Sequence, residues 1–451
     1  SYPSEELTEC YKKFLLNQFH DILPGSHIHP VYEDAMNDYR NVSERLDAML
    51  ASTAGNEYFN SLNFTRSAIT FIEDENGNVT RHGVKGFWSI PTLAGLSTGT
   101  IAALPSKEEW LSSKFCDVCN CLVVETPYYR AKLSNDGSFV SLYDKELDRE
   151  WVKEGCGFNK LHLYADNPGM YDAWDILPNY KDIQVALNVD KPLALVSSDG
   201  SSAEFAVTFT TEKSTWKMIL RFFADSRAIE VENVVDWDEK HKLVKVNFGP
   251  DVLTRELVCD TSAGFVKRDL TKNTSWQQAR FEVCHHKWCD MSESGSGIAI
   301  INEGKYGVGL EKDEISLSLL RATIRPDITS DIGHHNFCYT ILPHSGDAVE
   351  AQVNKTAMEY NVPLCKSNVT VPAALRDTLN NCGLYLQAMK RSEDGQYLIL
   401  RLSEQDGRRG KIAFPFEVQT MNLIEDIEGS TKVVSYHPFE LITVAVKPED
   451  L

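Results

Sequence analysis

Two apolar periodicities divide this chain, and the second dictates most of the fold. After residue 55, apolar residues recur at every second position. Phe205-Ala206-Val207-Thr208-Phe209, Ala228-Ile229-Glu230-Val231-Glu232-Asn233-Val234 and Leu243-Val244-Lys245-Val246-Asn247-Phe248 alternate as half-buried strands do. Asn76-Gly77, Asp136-Gly137, Asp199-Gly200, Asp394-Gly395 and Asp406-Gly407 punctuate these runs and can supply the positive φ of tight hairpins. No helical pattern alternates with the strands, which predicts antiparallel sandwiches rather than a parallel sheet. The stretch 361–381 contains Pro363, Pro372 and few strand signals, and separates a large β region from a small one.

Residues 1–55 follow the other period. Between Glu5 and Gln18, the residues Leu7, Cys10, Tyr11, Phe14 and Leu15 fall on one helix face. Pro24-Gly25-Ser26 breaks the chain, and a second helix is expected over 30–53, with Pro30 in its first turn and Glu33 and Asp34 complementing the dipole. Its stripe, Val31, Ala35, Tyr39, Val42, Leu46 and Met49, steps by four and three, so the helix should pack lengthwise in a bundle. Two helices make a poor bundle, and an uncovered stripe favours self-association, so a homo-oligomer is one expected state. The expected fold is mainly β: a helical-bundle segment (1–55), a large antiparallel β-sandwich (56–365) and a small C-terminal β-sandwich (366–451).

Composition narrows the function. The net charge of −20, from 45 basic and 65 acidic residues, argues against nucleic acid or an anionic membrane surface as partner. No apolar run reaches the ~18 residues of a membrane span. Eleven cysteines in 451 residues are an odd number without framework spacing, which points to a reducing cytoplasm. The chain starts Ser1-Tyr2-Pro3, without methionine, so the lack of a leader carries no information.

The segment Asn17-Gln18-Phe19-His20-Asp21-Ile22-Leu23-Pro24-Gly25-Ser26 sets an imidazole beside a carboxylate where the first helix breaks. Residue types alone favour a helix-end histidine interacting with the dipole, although neutral histidine is also a common metal ligand. The string resembles glycoside hydrolase family 38, the class II α-mannosidases, and further elements match in the same order. His286-Lys287-Trp288-Cys289-Asp290-Met291-Ser292-Glu293 is similar to the family's H-R-W-x-D-L-S-E. Ser316 to Ala322, followed by Pro326-Asp327 and Asp331-Ile332-Gly333-His334-His335, is similar to its S-L-L-R-A…P-D…D-x-G-x-H. Tyr339 to His344, Arg401 to Glu404 and Pro438 to Leu441 extend the match along the chain, closest to the bacterial and cytosolic branch.

That resemblance implies a retaining, zinc-dependent enzyme that removes terminal α-mannosyl residues from oligosaccharides. In the family, an N-terminal α/β domain carries the nucleophile, the acid/base and a His-x-Asp pair of zinc ligands. None of the twelve histidines here begins a His-x-Asp. The chain therefore resembles the C-terminal half, with residues 1–55 ending a three-helix middle domain and the catalytic domain as its missing partner. By the same resemblance His20 is one zinc ligand, Asp21 contacts the bound mannose, and Arg321 is a sugar contact on a loop reaching toward the site. The half alone is expected to be inactive, because both catalytic carboxyl groups lie outside it. The competing class is a non-catalytic carbohydrate-binding or structural β module.

Other clusters have plainer readings. Cys116, Cys119 and Cys121 lack a second pair at zinc-ribbon spacing and read as half-buried thiols. Cys284, His285, His286 and Cys289 read as structural. His334 and His335 with Asp327 and Asp331 could hold a metal or form a solvated loop. His27 and His29 are expected on the turn before the second helix, without a chemical task.

Overall fold

The alternation after residue 55 closes into two large antiparallel sheets, as shown by a computed structural model that describes residues 2–451. One sheet has eleven strands and runs from Glu282–Cys284 through Glu314–Arg321, Lys242–Phe248 and Phe158–Ala165 to Ser112–Cys116. The other has nine strands. Its centre is Thr215–Phe223, Ile229–Trp237, Gly333–Ser345 and Ser296–Asn302, in that order. Leu142, Phe158, Val246 and Leu317 of the first sheet meet Phe205, Met218, Val231 and Ile300 of the second in one apolar core. Side-chain period two makes this possible, because each strand gives alternate residues to the space between the sheets.

The outer face of the nine-stranded sheet departs from expectation. Alternation predicts that Glu230 and Glu232 face water, yet both are buried. A second layer covers them: the short sheet of Thr70–Glu73, Val79–Arg81 and Val84–Ser89. Trp88 of this cap packs against Phe223 and Ala228. Beside that apolar contact, Arg221 (1% exposed) donates to Glu204 at 2.7 Å and Glu230 at 2.9 Å, and also to Glu232. Arg81 adds a bond to Glu230 at 3.0 Å. Burial alone would raise the Glu232 carboxyl, but His82 and Arg221 overcome it and hold it at about 2. The hydrogen-bonded carboxylates of Glu232 and Glu303 raise the His82 imidazole to about 9.

Turn chemistry is partly as expected. Gly137 and Gly395 have φ of 77° and 73° in their hairpins, whereas Gly77 and Gly200 are not in the positive-φ region. Asp406-Gly407 joins Leu398–Ser403 to Gly410–Met421, which lie apart in their sheet. The cap's own tight hairpin is His82-Gly83, with φ of 52° and 77°. Registered pairing of Arg81 with Val84 leaves these two residues as the loop, and positive φ at both fits the twist of the flanking strands.

Two helices precede the sheets: α1 (Ser4–Leu16) and α2 (His29–Ala51), the latter with proline in its first turn. Lys13 with Asp38 and Glu6 with Arg45 pair across the two helices, whose buried apolar residues are Cys10, Ala35 and Val42. Tyr11, Phe14 and Leu15, expected on the inner face of α1, are exposed, as is Leu46 of α2. The C-terminal unit is one five-stranded sheet, ordered Tyr385–Arg391, Leu398–Ser403, Leu441–Val446, Gly410–Met421, Ile427–Tyr436. Leu375 and Leu379 of a short helix, Ala373–Leu379, fill its core. Cys365–Lys366, where the two β regions were expected to part, pairs with Tyr58–Phe59. Asn63 bridges the same junction by donating to the carbonyls of Leu379 and Leu384.

Candidate functional site

Helix α1 stops at Leu16, and the residues that follow wind through tight turns. The amides of Ile22 and Leu23 both donate to the Phe19 carbonyl, at 2.9 and 3.0 Å, and Gly25 has φ of 79°. A Cβ at Gly25 would meet no atom, so conformation rather than space is what requires glycine here. Buried Asn17 anchors the start of the turns, donating to the Lys13 carbonyl at 2.9 Å and to Asp38 of α2 at 3.3 Å. Buried Ser26 anchors their end and donates to Asp21 Oδ1 at 3.1 Å. Between these anchors the His20 ring projects into solvent, its side chain 79% exposed and its Nε2 3.6 Å from Asp21 Oδ2. His20 thus lies beyond the last turn of α1 instead of within it.

His29 has a task that the sequence reading did not assign. Its Nδ1 lies 3.0 Å from Asp327 Oδ2 and 3.0 Å from Thr329 Oγ1, so the first turn of α2 is fastened to the loop after Glu314–Arg321. Burial favours a protonated Asp327, but bonds from Thr329 and His29 outweigh it and keep the carboxyl below its ordinary range.

Arg321 ends its strand at the foot of that loop. Its Nε donates to buried Asp166 at 2.6 Å, its Nη2 to the Asp175 carbonyl, and its amide to Asp331 at 3.0 Å. Buried Asp172 caps the amides of Ile324 and Arg325 at 2.8 and 3.0 Å. The structure therefore joins the Arg321 loop to the helical segment through His29, while no hydrogen bond or ion pair among the described residues links Arg321 directly to His20 or Asp21. Among the described residues, Nη1 of the guanidinium has no hydrogen-bond partner.

The other clusters separate. His334 pairs with Asp236 at 2.8 Å and His335 Nε2 lies 2.7 Å from the Asp331 carbonyl, so among the described residues they form no joint metal cluster with Asp327. His285 is buried against Asn302 at 3.0 Å, and burial lowers its imidazole to about 3. Cys119 and Cys121 are not free thiols as expected: they form a disulfide at the turn leading into Cys121–Glu125. A cavity of about 390 Å³ lies elsewhere, lined by Tyr58, Arg81, Glu230, Glu359, Tyr360 and Lys366. Among the described residues, one group of three metal-ligating side chains comes within mutual reach: His82, Glu303 and Cys338. Their separation in sequence gave no spacing signal.

Comparison with known proteins places these features in order along one family. Residues 1–56 match the alpha mannosidase middle domain, 124–329 the glycosyl hydrolases family 38 C-terminal domain, and 383–444 that family's C-terminal beta sandwich domain. The chain is 28% identical to alpha-mannosidase 2C1 of Homo sapiens over 431 residues, which is 90% of this chain and 41% of that protein. It is 30% identical over 383 residues to an alpha-mannosidase of Saccharomyces cerevisiae, covering 80% of this chain and 32% of the relative. It thus spans less than half the length of these relatives. The crystal structure of an alpha-mannosidase from Enterococcus faecalis shares the fold with a TM-score of 0.69 at 12% identity, over 99% of this chain and 64% of that one.

Proposed function

Because the chain belongs to glycoside hydrolase family 38, whose middle and C-terminal domains it carries, we propose that it supplies His20 and Asp21 to a retaining α-mannosidase acting on mannose-containing oligosaccharides. The observation that carries this reading is the presentation of these two residues. Ser26 holds one Asp21 oxygen at 3.1 Å, and the other is left to accept a sugar hydroxyl in a charge-assisted hydrogen bond. The His20 ring makes no hydrogen bond among the described residues and projects outward, which fits a metal donor. One imidazole is not a site, so the remaining zinc donors and the two carboxyl groups of a retaining reaction are assigned to sequence outside this chain. Zinc, when bound, would supply a Lewis acid for adjacent hydroxyls of the mannose ring. Arg321, held by Asp166 and Asp175, positions the loop that fastens α2 and offers Nη1 toward a ligand. Nine of the eleven cysteines are free, which supports a cytoplasmic setting against the single Cys119–Cys121 bridge, and no helix of the described residues is long and apolar enough to cross a membrane.

The test uses the protein as expressed from its gene, with chromogenic α-mannoside, α-glucoside and α-galactoside substrates. Cleavage of the α-mannoside alone, with the α-anomer released first, is expected. His20→Ala should lose zinc and at least about 100-fold in turnover. Asp21→Ala should keep zinc and lose about 1.5–3 kcal/mol of transition-state stabilisation, as for a hydrogen bond to a charged group. Full zinc content and near-normal turnover in His20→Ala would overturn the ligand assignment. Glycan binding without any cleavage would favour a carbohydrate-binding module.

A further inference from the structure

We infer a second metal site, distinct from the one that includes His20: His82 Nε2, Glu303 Oε2 and Cys338 Sγ form a three-ligand zinc centre under the cap of the nine-stranded sheet. The three side chains come from separate places. His82 is the first residue of the cap's hairpin loop, Glu303 follows Ser296–Asn302, and Cys338 lies within Gly333–Ser345, in register with Glu232. Their ligand atoms all lie within 4.8 Å of one another.

The two spacings from the imidazole fit a tetrahedral ion, and the third pair, Glu303 with Cys338, lies within 4.8 Å. His82 Nε2 is 3.3 Å from Glu303 Oε2 and 3.5 Å from Cys338 Sγ. Zinc bonds of about 2.0 Å to nitrogen and oxygen and about 2.3 Å to sulfur, set at tetrahedral angles, separate such ligands by about 3.3 and 3.5 Å. A thiolate, an imidazole and a carboxylate together suit zinc rather than the hard cations magnesium and calcium.

Glu303 has the kind of outer partner that metal ligands use, and His82 has a carboxylate beside its second ring nitrogen. His82 Nδ1, turned away from the cluster, faces Glu232 Oε1 at 3.4 Å and is a buried polar atom without a hydrogen bond. Arg81 binds Glu303 through Oε1, leaving Oε2 for the ion. Arg81 would repel a cation, and the carboxylates around it offset that repulsion. Two guanidinium groups, Arg81 and Arg221, stand against four carboxylates, Glu204, Glu230, Glu232 and Glu303. The side chains of His82 and Glu303 are 25% and 23% exposed, which leaves an entry path and room for water as a fourth ligand. The ion would pin the cap onto the sheet.

Cobalt(II) titration of the chelator-stripped protein tests the site, because a cobalt–thiolate bond gives a near-ultraviolet charge-transfer band that the His20 site, without sulfur, cannot produce. Cobalt in excess over both sites should develop the band and zinc should bleach it. Cys338→Ser should abolish the band, and His20→Ala should leave it intact. Glu303→Gln, folded by circular dichroism, should weaken cobalt binding at least about tenfold. No band in the folded protein, a band retained in Cys338→Ser, or unchanged affinity in Glu303→Gln would overturn the site. Loss of mannosidase activity in His20→Ala with the band retained would leave the two sites independent.

Discussion

The helical segment and the sandwich treat their residues in opposite ways. In α2, two of 23 residues are buried, whereas strand Ile229–Trp237 buries seven of nine, its glutamates included. At its centre the nine-stranded sheet is covered on both faces, with an apolar core toward the other sheet and an ionic layer beneath the cap. The helices bury Cys10, Ala35 and Val42 and leave Phe14, Leu15 and Leu16 in water. A region closed on both faces should respond strongly to single substitutions. A region that buries a few residues should respond weakly, and it is free to present side chains such as His20 and Asp21. Measurements that rank the two regions can break this contrast.

The largest effect is expected at Arg221. Replacing it with methionine keeps most of the side chain's bulk but leaves Glu230 and Glu232 buried with fewer counter-charges. Removing one partner of a buried ionic group costs about 3–5 kcal/mol, because the remaining charge is stranded. Urea unfolding followed by tryptophan fluorescence reads this directly. A loss below about 1 kcal/mol would mean that water reaches the ionic layer and that the sandwich is not closed on its outer face.

A smaller effect, with a defined pH window, is expected at Glu359. Its carboxylate accepts backbone bonds from Ser67 at 2.9 Å and Ala68 at 2.8 Å, yet burial dominates and raises the group to about 7. The fold therefore prefers the protonated form. Its contribution is complete below about 4.5, the ordinary value, and is lost as pH rises through about 7. Glu359→Gln cannot titrate and should remove this slope. The stability difference between wild type and variant should shift by about 1–3 kcal/mol across that window. Parallel curves would show that the carboxyl is solvated in the native state.

Sequence periodicity located the strands but not what covers them. The alternation in Ala228–Val234 correctly sends Ile229 and Val231 to the apolar core. It predicts water for Glu230 and Glu232, because a pattern along one strand carries no record of a cap contributed by residues 70–89. The helix limits were legible within about two residues, since breaker residues and proline act locally. His20 and Asp21 were legible as an adjacent pair where α1 breaks, and the family resemblance is what suggested a role for them. Arg321's tether to Asp166 was not legible, because 155 positions separate the two residues. His29 was set aside for the same reason: its partners, Asp327 and Thr329, lie at the far end of the large sandwich. The cluster of His82, Glu303 and Cys338 joins a loop, a strand end and a strand middle, so no linear spacing could announce it.

The smallest stability effect is expected on the exposed faces of the helices, and there it should come with a large change in association. Leu15 is 63% exposed and Leu46, at 37%, is partly covered but not buried, so serine at both positions gives up partial burial only. Surface substitutions away from caps and buried contacts usually fall within about 0.5 kcal/mol. Melting temperature should therefore barely move. The same double substitution removes two large apolar groups from a surface that also carries Tyr11, Phe14 and Leu16. Patches of this kind drive association, so sedimentation velocity at rising concentration should show self-association in the wild type and less of it in the variant. Val42→Ala, at a buried position of α2, calibrates the comparison. Deleting two buried methyl groups should cost about 1–2 kcal/mol, more than the surface pair but less than Arg221→Met. If Leu15→Ser and Leu46→Ser together cost more than Val42→Ala, the outer faces of the helices are covered in solution, and the contrast with the sandwich fails.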